Sequence, residues 1–135
     1  MQKSDIENMA KENQYSIVAR EAYLNIVQKG MSFENAWNTA TEKIITSKSG
    51  REKGCPRATF IGLCESGDLK DIPWTNESKS KNYAYAKYAA MEWNRNKNIP
   101  KKEMWGRVQN EFGTTANHQG QLDIVLGLIE NLNKL

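Results

Sequence analysis

Apolar residues recur at helical spacing along nearly the whole chain, and this periodicity constrains the fold more than any other feature. Tyr15, Val18, Ala19, Ala22 and Ile26 stand at i, i+3, i+4, i+7 and i+11, the pattern of one helix face. Gly30 ends that element, with Lys29 placed where a cation suits the helix dipole. Ser32 is the expected N-cap of a second helix whose stripe is Phe33, Ala36, Trp37, Ala40 and Ile44. The polar run Thr46-Ser47-Lys48-Ser49-Gly50 has no period and reads as a linker.

Pro56 is expected to open a third helix, because proline suits a first turn where its missing N–H costs nothing. Phe60, Ile61, Leu63 and Cys64 supply its apolar side and Gly67 closes it. Asp71-Ile72-Pro73-Trp74 reads as extended chain, since a residue before proline is pushed out of the helical region. A fourth helix, from about Lys79 to Asn96, carries Tyr83, Tyr85, Tyr88, Met91 and Trp93 among alanines. Being apolar on nearly all sides, it is expected at the centre of the molecule, with Trp37, Trp105 and Leu126 of helices two, five and six packed around it. Pro100 opens a fifth helix with Met104, Trp105, Val108 and Phe112 inward, stopped by Gly113. The last helix places Leu122, Val125, Leu126 and Ile129 on one face.

The expected fold class is therefore all-α. It is a compact single-domain bundle of five or six helices with a long polar and basic connection between helices two and three. Residues 1–14 form a polar N-terminal segment, frayed or helical, and 15–135 the helical domain. A length of 135 residues suits one core, and a hydrophobic fraction of 39% excludes wholesale disorder. Two cysteines cannot build a secreted disulfide scaffold. No segment approaches the ~20 apolar residues of a membrane helix, and the polar start Gln2-Lys3-Ser4-Asp5 is unlike a signal peptide. The expectation is a cytoplasmic protein without membrane contact.

Several segments carry a resemblance. They are Tyr15 to Ala22, Ser32 to Trp37, Lys53-Gly54-Cys55-Pro56 followed by Phe60, Gly62-Leu63-Cys64-Glu65 and Gly67, then Ile72-Pro73, Asn82 to Ala86, and Gly120 to Leu126. Together they resemble a small bacterial protein family of unassigned function, over most of the chain from about residue 15. The resemblance implies a shared module and brings no activity, cofactor or catalytic residue with it.

Charge singles out the middle of the chain. Residues 1–42 have a balance of −2, residues 43–111 of +6 and residues 112–135 of −1. Lys43, Lys48, Arg51, Lys53 and Arg57 lie in a stretch with Glu52 as its single acid, a pattern that attracts phosphates or simply a solvated loop. With a helix opening at Pro56, Cys55 would stand at the N-cap. There Arg51, Lys53 and Arg57 could clamp an anion while Gly54 and Cys55 offer backbone donors. The same position would favour a reactive thiolate, or Cys55 could be a turn residue packed inside. Cys55 and Cys64 are nine residues apart, roughly 13 Å along a helix against the ~7 Å a disulfide tolerates, so they should not pair. Cys55, Cys64 and His118 are too few for zinc, and no metal or cofactor is implied.

His118 is the only histidine and the default acid–base group, so catalysis would pair it with Asp123 or Cys55. Capping of the last helix by Asn117 or Gln119 explains the same cluster with fewer assumptions. Tyr83, Tyr85 and Tyr88 interleave with Lys79, Lys81 and Lys87 as in single-strand binding, but their spacing forms no flat platform and favours core packing. A helix-turn-helix over 60–72 fails because Pro73 cuts its second helix to one turn. The leading expectation is a non-enzymatic module that recognises nucleic acid or a phosphorylated ligand through residues 48–57. The alternatives are a protein-interaction, assembly or inhibitor protein using exposed aromatics such as Trp74, or a homodimer, and then a small enzyme around Cys55 and His118.

Overall fold

The computed structural model describes residues 14–133. The expectation for the N-terminal segment therefore falls almost entirely outside the described residues. Six α-helices are found among the described residues: α1 Gln14–Val27, α2 Phe33–Ile44, α3 Gly54–Glu65, α4 Lys81–Arg95, α5 Lys101–Phe112 and α6 Gln121–Leu128. A single helical turn, Lys48–Arg51, lies between α2 and α3, and a 3-10 turn, Ile129–Asn131, follows α6. The described residues form an all-α fold, as the periodicity predicts.

Local signals explain most helix ends. The Ser32 and Ser80 hydroxyls accept hydrogen bonds from the N–H groups of Asn35 and Tyr83, each filling one of the donors a helix start leaves open. Gly113 stops α5 at φ +61, a conformation that costs glycine little. Gly67 after α3, at φ +71, has a second constraint: a Cβ there would lie 3.1 Å from the backbone nitrogen of Trp74.

The core has two parts, and α6 is the wall between them. One part gathers Val18, Ala19 and Ala22 of α1, Trp37 of α2, Phe60 and Leu63 of α3, and Leu69. The other gathers Ala86, Ala89 and Trp93 of α4 with Met104 and Val108 of α5. Ile124 and Leu128 of α6 enter the first part, Leu122 and Val125 the second, and all four are fully buried. Burying such a side chain contributes about 1.5–3 kcal/mol, so α6 ties both halves together. α1 packs closely on it: the Ser16 hydroxyl donates to the Asp123 carbonyl at 2.6 Å, and a Cβ on Gly127 would lie 2.7 Å from the Ser16 Cα.

Several expectations are corrected. The centre is α6 rather than the tyrosine-rich α4, whose Met91 is 41% exposed. Trp37 stacks on Phe60 at 5.3 Å and belongs to the other part of the core, whereas Trp105 does meet α4 through Tyr85. α6 is buried on both sides, so Ile124 and Leu128 join the residues on its expected single face. Ile129 falls in the following turn and is partly exposed. Phe112 is 42% exposed. The linker after α2 contains the turn Lys48–Arg51 and buries Ile45. α3 starts at Gly54, two residues early, because proline is tolerated anywhere in a first turn, where N–H groups have no partner within the helix. Asp71 adopts φ +64 instead of an extended conformation.

The Gly127 contact gives a direct test by urea unfolding. Gly127→Ala should lose about 1–3 kcal/mol, the usual range for overpacking. Gly106→Ala, in α5 with open space at its Cβ, should gain about 0.5–1 kcal/mol from helix propensity.

Candidate functional site

The 48–57 segment is built on the turn after α2. Ser47 caps that turn by accepting from the Gly50 N–H at 3.1 Å, and Tyr15 of α1 donates its hydroxyl to the Gly50 carbonyl at 2.9 Å. A Cβ at Gly50 would lie 2.7 Å from the Ser47 hydroxyl and 2.8 Å from the Ile45 side chain, so a larger residue there would displace the capping hydroxyl or Ile45. Arg51 folds back on the turn: its Nη2 donates to the Thr46 carbonyl at 3.2 Å and its Nε to that of Ser47 at 3.4 Å. With Lys48, Glu42 and Glu52 it lines a polar cleft of about 340 Å3, so its surroundings carry both signs of charge.

Lys53 sits at the N-cap of α3 with its Nζ 6.0 Å from the centre of the Tyr15 ring. Gly54 and Cys55 are the first two helical residues, with no side-chain cap and no acid in the first turn. Cys55 is half-buried and its carbonyl accepts from the Thr59 hydroxyl at 2.8 Å. Arg57 is half-buried. The structure thus leaves Lys53, Gly54, Cys55 and Arg57 at one helix start and ties Arg51 to its own turn. Ion pairs among the described residues engage Lys43, Lys87, Lys101 and Arg107, and none engages a cation of the 48–57 segment.

The loop before α6 lies against this helix start. A Cβ on Gly120 would stand 3.1 Å from both Pro56 and the Tyr15 ring. The sequence shows no link between these segments, because sixty-odd residues separate them. Gly120, at φ +92, occupies the N-cap position instead of Asn117 or Gln119, and the His118 ring caps the helix by accepting from the Leu122 N–H at Nε2, 3.0 Å away. The ring meets Trp105 edge-on at 5.1 Å. Burial pulls the His118 pKa below 6.5; Lys101 and Lys53 push the same way, and Asp123 opposes them. Asp123 is buried and ion-paired with Lys101 at 2.8 Å. The hydrogen bonds of His118 and Asp123 therefore run to Leu122 and Lys101, and no base–nucleophile pair with Cys55 is formed.

The remaining candidates have structural surroundings. Cys64 is buried, which pushes its thiol pKa well up and keeps it protonated. Tyr83 donates to Asp68 at 2.7 Å, and its own pKa is pushed up to about 12, mainly by burial. Lys87 pairs with the same carboxylate at 2.7 Å. Asp68 is a buried acid after Gly67 that no local sequence pattern marks. Tyr85 and Tyr88 pack edge-on against Phe112. Trp74 is 66% exposed. Among the described residues no His, Cys, Asp and Glu side chains group closely enough to hold a metal ion, and no helix is long and apolar enough to cross a membrane.

The His118 cap predicts a pH dependence. The fold favours the neutral ring, so the unfolded chain takes up a proton first as acid is added. Stability should therefore fall as pH drops below the ordinary value of 6.5, until the folded protein also protonates at its lower pKa. An NMR titration should place the His118 midpoint below 6.5 with the proton on Nδ1, and His118→Gln should flatten this part of the stability profile.

Searches of curated proteins and of solved structures return no match. A family model described as "Family of unknown function (DUF6979)" matches residues 12–133, nearly the whole chain including every helix described above. The chain belongs to this family of unknown function.

Proposed function

We propose that the protein is a non-enzymatic binding module for an anionic partner, nucleic acid or a phosphorylated ligand, engaged at the 48–57 segment. The observation that carries this reading is the density of unpaired cations. Lys48, Arg51, Lys53 and Arg57 fall within ten residues that hold Glu52 as their single acid, and none of the four has an ion-paired acid among the described residues. Lys53 and Arg57 flank a helix start without an acidic residue, where backbone donors and the positive end of the dipole favour an anion. Arg51 serves by holding the turn in shape, since its guanidinium is spent on backbone carbonyls. A thiol-dependent enzyme is the weaker reading, because the ring nitrogen that would act as base already accepts a hydrogen bond.

Trp74 supports a second reading, a protein-interaction surface, because two-thirds of this large ring faces solvent. Light scattering and pull-down with Trp74→Ala separate the two, since that substitution leaves the basic segment intact.

The anion reading predicts binding to single-stranded DNA or heparin at low salt that weakens steeply as salt rises. Lys53→Ala/Arg57→Ala should lower the log–log salt slope by about two, one for each lost phosphate contact. Salt-independent binding, or no binding to either polyanion at low salt, contradicts it.

A further inference from the structure

A cleft between the end of α4 and the chain after α6 shares no residue with the 48–57 segment. It encloses about 390 Å3, the low end of the range for small-molecule sites. Its apolar lining is Trp93, Ala90, Leu132 and Ile129; its polar lining is Lys70, Lys97, Asn94 and Asn133. Two ammonium groups and two amides line the cleft, and among the described residues no carboxylate side chain does.

The walls are held in place. The Trp93 indole donates to the Ile99 carbonyl at 2.9 Å, which fixes the ring that lines one side. On the other side the end of the chain is bound to the loop after α3. Leu132 bridges Leu69, the Lys70 N–H donates to Asn131 at 2.8 Å, and the Asn133 N–H donates to the Asp68 carbonyl at 2.8 Å. The Asn133 amide also donates to the Gly67 carbonyl at 2.8 Å. Lys70 gives one proton to the Glu130 carbonyl at 3.1 Å, which positions the ammonium and leaves two donors for a ligand. A cleft fixed in this way binds without a large ordering cost.

We propose that this cleft is a binding site for a small carboxylate with an apolar or aromatic body. The body would lie against Trp93, Leu132 and Ile129, and the carboxylate would meet Lys70 and Lys97 with the amides completing its hydrogen bonds. A single negative charge fits better than a phosphate. Asn94 lies in the last turn of α4 and Lys97 just past its C-cap, where the helix dipole is negative and opposes each further charge on the ligand. Among the described residues the cleft also has neither arginine nor a helix start for phosphate oxygens.

The test is an NMR titration of the full chain with indole-3-acetate, its methyl ester and inorganic phosphate. Indole-3-acetate should shift the Trp93 indole N–H and the amides of 90–97 and 129–133, while the ester binds about tenfold more weakly, as loss of a charge-assisted contact requires. Lys97→Glu, at an exposed position outside the helix, should weaken indole-3-acetate by at least the same factor and keep the spectrum folded. Equal binding of acid and ester, a response to phosphate alone, shifts confined to other regions, or no response at millimolar ligand would each overturn the assignment.

Discussion

The close approach of α1 to α6 is the constraint on which the rest of the structure depends. Gly127 has no side chain, so the backbone of Ser16 can lie against it, and the Ser16 hydroxyl then reaches the Asp123 carbonyl. With α6 held there, four of its residues point into the two parts of the core, Ile124 and Leu128 one way and Leu122 and Val125 the other. The polar residues of α6 extend the same role. Gln121 bonds to Asn82 of α4 at 2.9 Å, and Asp123 pairs with Lys101 of α5. One short helix thus makes contacts of each kind with its neighbours, which explains why it needs no amphipathic face of its own.

What was legible in the sequence was what is local. Ser32 as a cap, the stripe from Phe33 to Ile44, and the glycines at 30, 67 and 113 depend on neighbours within a few positions, and each is found where expected. The position of α6 was not legible. An eight-residue run that is apolar on several sides has no dominant face, and only the partners that cover it decide its place. The same holds for Asp68, which meets Tyr83 and Lys87 only in the folded chain, and for the cleft that joins Lys70, Lys97 and Asn133. The start of α3 departs from the expected Pro56 for a local reason: proline marks a first turn without fixing its position in that turn.

At the candidate site, two of the residues that the sequence singles out are engaged in local hydrogen bonds. His118 caps α6, and Arg51 holds the turn after α2. Lys53 and Arg57 stand at the start of α3 without an ion-paired acid among the described residues, beside the loop that leads into α6. Packing and candidate function therefore meet at one place: the contact of Gly120 with Pro56 and Tyr15 joins the wall between the two cores to the basic helix start.

If α6 couples the two halves of the core, neither half can open alone. Native-state hydrogen exchange measures this directly, because it reports an opening free energy for each amide. The most protected amides of α1 and α2 should then show the same opening free energy as those of α4 and α5, with both sets falling together in urea. Two separate values, with one half exchanging while the other stays protected, would contradict the shared role of α6.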